Sequence, residues 1–166
     1  MKFAALVVGA VMMYILMRIL GHTHSDIGIT RQRTIYSLKT VLPITVALII
    51  AAGLFLLLEK PRFSPTEGIV FYVCYILISC PAQELLFRGI LSRMLQELRL
   101  HRVLELGVAA ALFGYVHIIY GDILTVVIMG IVGLFWYRAY QRSPNVIGVT
   151  ISHVVLGVMT IALGII

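Results

Sequence analysis

Five side chains with usable chemistry lie in stretches that are otherwise apolar: Gln83, Glu84, Arg88, His117 and His153. A charge at the bilayer centre costs about 3 kcal/mol on insertion scales, so ionisable groups in such stretches are functional candidates first. A histidine beside a carboxylate can take a proton from water and start a hydrolysis. Backbone or side-chain donors then hold the oxyanion that forms. Glu84 and Arg88 stand four apart, acid before base, the favourable order for a pair on one helix face. Gln83 is rotated ~100° from Glu84 and shares its own face with Phe87. Other intramembrane chemistries lack their residues. Asp122 is the only aspartate near an apolar run, which excludes a two-aspartate protease. G-x-S-x-G and H-E-x-x-H are absent. Cys80 sits among apolar residues, which disfavours the thiolate a nucleophile needs. Hydrolysis without a cofactor is the leading expectation. Zinc held by Glu84, His117 and His153, with one position open, is the alternative.

The elements that must position these groups follow from composition. Of 166 residues, 61% are hydrophobic and 12% charged, with mean hydropathy +1.05. Soluble domains run at about 45–50% apolar and about 25% charged. A water-soluble globule and a disordered chain are both excluded. With ~20 apolar residues per crossing, six helices fit, with room for a seventh. The runs are Phe3–Leu20, Val41–Leu58, Gly68 onward through Pro81 to Leu100, Val103–Tyr120, Ile123–Tyr140 and Asn145–Ile166. The first has no small-x-small cleavage site and is read as a retained helix. Residues 21–40 read as a polar loop, and Pro43 as a first-turn proline. Ser64-Pro65-Thr66-Glu67 predicts a capped helix start, and Ser143-Pro144 another. Gly121 suits a C-terminal cap and Asp122 the next N-cap. Gly130 and Gly133 predict close helix approach. Trp136, Tyr137 and Tyr140 read as an interfacial belt. His22 and His24 lie in the polar loop, and Cys74 and Cys80 imply no disulfide framework.

The net charge of +6 could mean a nucleic-acid partner, but Lys and Arg sit in short loops and no basic helix carries interleaved aromatics. They read as topology signals. Ten fall on one side (Arg18, Arg31, Arg33, Lys39, Arg88, Arg93, Arg99, Arg102, Arg138, Arg142) and three on the other (Lys2, Lys60, Arg62). The ten-residue side is expected to be cytoplasmic, with both termini outside. Heights also agree. Glu84 lies 17 residues before His101 and His117 16 after it. In an antiparallel hairpin both stand ~25 Å from the turn. His153, nine residues past Pro144, is ~14 Å into its helix, level with them if the hairpin turn projects about 10 Å further.

At these residues the chain resembles a family. Gln83-Glu84-Leu85-Leu86-Phe87-Arg88-Gly89 is similar to the Glu-Glu-x-x-x-Arg motif of the CPBP family, the CAAX prenyl proteases and bacteriocin-processing enzymes. Phe113-Gly114-Tyr115-Val116-His117 resembles its Phe-x-x-x-His motif, and Gly130–His153 its third region. The resemblance covers about residues 64–160 of what reads as one domain. It implies an intramembrane glutamic protease, a type formerly labelled metalloprotease. By it, Glu84–Arg88 is the structural pair, His117 the partner that activates water, and His153 an oxyanion or substrate-orienting group. Phe113 supports the site. Two positions depart from the pattern. Gln83 stands where the first glutamate belongs, and a carboxamide is no general base. Gly157 stands where an Asn or Asp is expected. Three accounts stay open: an inactivated form, a variant that uses Glu84, or a relative that does not cleave.

The expectation is an all-α polytopic membrane bundle around a polar cavity. It would cut a membrane-associated or membrane-anchored peptide or protein in a prokaryotic inner or cell membrane. The lipid bilayer is its other partner, and nucleic acid is not one. The rival is a non-catalytic immunity, binding or scaffold protein that keeps the fold. A small transporter ranks third, because the polar residues cluster instead of lining a path.

Overall fold

A computed structural model describes residues 2–166, with side chains from residue 4 onward. Among the described residues every regular element is helical. Helix α1 is Lys2–Ile19, followed by a 3-10 turn at Ser25–Ile27. Helix α2 is Thr34–Leu58. Helix α3 is the continuous but irregular span Ile69–Glu97. Helix α4 is Arg102–Tyr115, prolonged by a 3-10 turn at Val116–Tyr120. Helices α5 and α6 are Ile123–Arg142 and Val146–Ala162. Four of these are long and apolar enough to cross a membrane: α2, α3, α4 with its extension, and α5. Two shorter apolar helices, Ala4–Ile19 and α6, complete the set. Among the described residues spanning length is thus reached by four of the six helices. The outer surface is apolar, with Leu57 82% and Ile69 78% exposed. Patches of that extent need lipid around them, so the chain is an integral membrane protein.

Local readings differ from the structure where tertiary contacts intervene. Helix α2 starts at Thr34, within the expected polar loop, so Pro43 lies inside the helix. The Asn145 carboxamide, donating to Thr30 O, Gln32 O and Thr34 Oγ1, fixes the preceding turn and starts the helix early. Residues 64–67 are not helical, and α3 begins at Ile69 behind Gly68. Just upstream, the N–H groups of Arg62 and Phe63 both bond Gly164 O and hold the strap against the C-terminal end. The cap of α6 is Asn145, whose side chain accepts from Ile147 N, not Ser143. Gly121 adopts φ 69° and Asp122 caps α5 by accepting from Thr125 N, as expected.

The core lies where α4 packs on α5 and α2 packs on α6. Gly114 makes the first contact possible: a Cβ there would stand 2.7 Å from Val126 O and 3.1 Å from Gly130 Cα. Small residues at such crossings let backbones approach where lipid offers no hydrophobic driving force. Trp136, Tyr137 and Tyr140 do not form an interfacial belt. They are 2%, 1% and 2% exposed and belong to the interior. Their polar tips find partners or packing within the bundle: Trp136 N–H donates to Ser152 Oγ and Tyr137 O–H to Glu105.

Contacts gather the loops at two ends. At one end His22 pairs with Glu97, and Val146 N–H bonds Gly28 O. The Arg99–Arg102 turn lies there. At the other end Arg62 pairs with Asp122 and donates to Ile165 O. His22 and His24 are separately engaged, His24 by Tyr14 at 2.6 Å.

Candidate active site

Helix α3 carries the acid and is irregular on both sides of it. It runs as α-helix to Cys74, as π-helix over Tyr75–Ser79, as α-helix over Cys80–Glu84, and as π-helix again over Leu85–Ile90. Cys80 N–H reaches back five residues to Tyr75 O, and Leu91 N–H to Leu86 O. Pro81 has no N–H to give and would clash with the carbonyl one turn back, so the wider turn before it relieves the chain. Such turns mark functional positions in helices. Here they bracket Glu84 and set the direction of its side chain.

Glu84 and Arg88 are 0% and 1% exposed. Arg88 Nη1 lies 3.2 Å from Glu84 Oε1, so the i,i+4 pair forms. The guanidinium also lies over the Phe113 ring at 4.0 Å and over Trp136 at 5.3 Å. Its Nη2 donates to Gly133 O at 3.4 Å. A buried cation is tolerable only with a counter-charge, and aromatic faces add to it. Hydrogen bonding is incomplete: Glu84 Oε2, Arg88 Nε and Arg88 Nη1 lack a partner of good geometry. Sites that leave buried polar atoms unsatisfied call for a functional explanation.

The same carboxylate oxygen holds a second group. His153 Nδ1 lies 2.7 Å from Glu84 Oε1. A carboxylate only accepts, so Nδ1 carries a proton and donates it. His153 is 4% exposed. Trp136 lies against its ring at 4.6 Å, while Phe113 and Tyr75 meet it edge-on, each at 6.0 Å. A chain of donors fixes Trp136: its N–H donates to Ser152 Oγ, Ser152 donates to Thr45 Oγ1, and Thr45 donates to Val41 O.

His117 sits on the 3-10 turn that ends α4. Its Nδ1 lies 2.7 Å from Phe113 O, a carbonyl that also only accepts, so Nε2 carries the lone pair. Phe113 is 1% exposed and touches the His117, His153, Phe87 and Trp136 rings. His153 and Arg88 both lie within electrostatic range of His117. Tyr120 stacks on His117 at 6.0 Å.

Three helices thus gather Glu84, Arg88, His117 and His153 around Phe113. Gln83 is turned elsewhere and donates to Ser79 Oγ at 2.9 Å. Among the described residues no three His, Cys, Asp or Glu side chains form a group that could hold a metal ion, the zinc trio Glu84, His117 and His153 included. Sequence reasoning passed over Tyr75, Ser152 and Thr45 and read Trp136 as interfacial. Tyr75, Ser79 and Gln83 do recur at a spacing of four, which could have drawn attention to the first.

Chemically, the arrangement offers two imidazoles, one oriented by a carboxylate and one by a carbonyl, beside a caged cation. No curated protein and no solved structure matches the chain. The family model described as type II CAAX prenyl endopeptidase, Rce1-like, matches residues 65–159, more than half of the sequence. That stretch holds every residue of the cluster, and the chain therefore belongs to the Rce1-like type II CAAX prenyl endopeptidase family.

Proposed function

We propose that this protein is an intramembrane endopeptidase that hydrolyses a peptide bond of a membrane-anchored substrate, with His117 as general base. The carrying observation is the paired tautomers. Phe113 O fixes the proton of His117 on Nδ1, and Glu84 fixes that of His153 likewise. Each leaves an Nε2 lone pair able to accept a water proton. Glu84 is fully buried and shared between Arg88 and His153, so it orients and does not itself meet water. Gln83 contributes no base; its carboxamide is engaged by Ser79. Neither a metal nor a cofactor is required by this reading. The basic loop end faces the cytoplasm by the positive-inside rule, with both termini outside.

A second reading is favoured by one observation. By the family resemblance position 83 would hold the carboxylate that activates water, and the carboxamide there is bonded to Ser79 instead, which suits a non-catalytic member that keeps the cavity to bind a membrane segment. The two part on one experiment. The full chain is reconstituted in liposomes with a membrane-anchored fluorogenic peptide library, beside Gln83→Glu and His117→Gln. Catalysis predicts cleavage that His117→Gln lowers about 10²–10⁴-fold, the usual worth of a general base. The carboxamide being the only obstacle predicts cleavage by Gln83→Glu alone. No cleavage by either leaves the binding reading standing.

A further inference from the structure

We propose that the Tyr75 hydroxyl is the hydrogen-bond donor that holds the carbonyl oxygen of the scissile peptide bond, in space that Gly157 leaves beside His153. This rests on the hydrolytic reading above.

A developing oxyanion needs a donor aimed at it, and the Nδ1–H groups of both histidines are already engaged. The N–H of His153 goes to Glu84, that of His117 to Phe113 O, and the Gln83 amide to Ser79. Arg88 is enclosed by Glu84, Gly133 O and two aromatic faces.

Tyr75 supplies what is missing. It lies on the first π-turn of α3, is 8% exposed, and meets the His153 ring edge-on at 6.0 Å. Its ring stacks on Phe71, which fixes its plane. Its hydroxyl lies against Gly157. A Cβ at 157 would overlap the hydroxyl oxygen and stand 2.7 and 2.8 Å from two ring carbons. Gly157 is one helical turn past His153, so the hydroxyl and the imidazole share one face of α6. The Cys80 thiol lies within hydrogen-bond reach of the hydroxyl and can donate to its oxygen, leaving the phenolic proton available, and Glu84 and Tyr120 are the other ionisable groups in its surroundings. The hydroxyl is thus wedged beside the imidazole by a backbone contact that tolerates no side chain.

The step balances as follows. The water oxygen bonds to the carbonyl carbon, and the carbonyl π pair moves to oxygen. The water proton passes to His117 Nε2. The negative oxygen accepts a hydrogen bond from Tyr75, which keeps its proton. The oxyanion pair then re-forms the carbonyl as the C–N bond breaks, the C–N pair going to nitrogen, which takes the proton back from His117. The products are a carboxyl and an amine.

The test uses the full chain in liposomes with the peptide library above. Tyr75→Phe keeps the ring and should keep the thermal midpoint. It should lower kcat about 10²–10³-fold, the worth of one oxyanion donor, and leave KM within about threefold, since a transition-state contact adds little to ground-state binding. Tyr75→Ala clears the space, and Tyr75→Ala/Gly157→Asn places a carboxamide N–H there, so the double variant should exceed Tyr75→Ala at least about tenfold. Full turnover by Tyr75→Phe overturns the assignment, as does a loss carried by KM with no gain in the double variant. Absence of cleavage by both the parent and Gln83→Glu sinks the hydrolytic reading, and this one with it.

Discussion

Glu84 Oε1 serves Arg88 and His153 at once, so deleting the carboxylate strands a buried cation and frees an imidazole. Glu84→Ala is expected to cost about 3–5 kcal/mol, the penalty for breaking a buried pair from one side. Glu84→Leu with Arg88→Leu removes both charges and should restore most of that stability. It should not restore cleavage, because His153 loses the acceptor that sets its tautomer. Thermal unfolding in detergent, read beside peptide cleavage, separates the two effects. An active double variant would reduce Glu84 to a packing residue. At this scale the sequence is legible where geometry is local. The spacing of Glu84 and Arg88 on one helix is enough to pair them. The bond from Glu84 to His153 crosses 69 residues and depends on how α3 sits on α6, which no spacing encodes. The role of Trp136 was misread for a related reason. An aromatic near a helix end is equally suited to a lipid interface or an interior, and only its bond to Ser152 decides.

Elements were legible wherever a run of apolar residues was bounded by its own turn chemistry. Gly121 and Asp122 end and start helices as expected, whereas 64–67 and 34–40 take their form from distant backbone and side-chain partners. The π-turns around Glu84 carry no sequence signature beyond Pro81. Two glycines of α4 allow a test of element packing. Gly107 has open space where a Cβ would go, while Gly114 presses on α5. Gly107→Ala should leave stability unchanged or raise it by about 0.5–1 kcal/mol. Gly114→Ala should lower it by about 1–3 kcal/mol, the range for overpacking. Equal effects in denaturant titration would mean that the α4–α5 contact is not tight. At the start of α5, Asp122 has its carboxyl held at about 2 by the hydrogen bonds from Thr125 and Arg62. A depressed folded-state value gives a stabilisation that is complete above the unfolded value of 3.8 and is lost as pH falls toward about 2. Asp122→Asn keeps the cap but not the charge, so its thermal midpoint should lose this acid-dependent fall between about pH 4 and 2.

For the whole molecule, the structure sorts the loops into two ends without reference to charge, and the basic residues then fall mostly at one of them. Arg88 is the exception. It is buried at the site, so the ten basic residues assigned to that side become nine. Glu84 and His153 stand mid-helix, and His117 is displaced toward one end. His117 lies four residues before Gly121, at the end where Arg62 meets Asp122. With the basic end cytoplasmic, water would reach His117 from the external side. The scissile bond of a substrate would then lie in the outer half of the bilayer. Single cysteines at Gln32 and Thr66, in a background with Cys74→Ala and Cys80→Ala, test this in intact cells. A membrane-impermeant maleimide should label Thr66→Cys at once and Gln32→Cys only after lysis. The reverse pattern would invert the molecule, place His117 near the cytoplasm, and move the expected substrates to proteins whose cleavage site is cytoplasmic. Labelling of both positions in intact cells would break the two-ended arrangement itself, since His22 with Glu97 and Arg62 with Asp122 could not then lie on opposite sides of one bilayer.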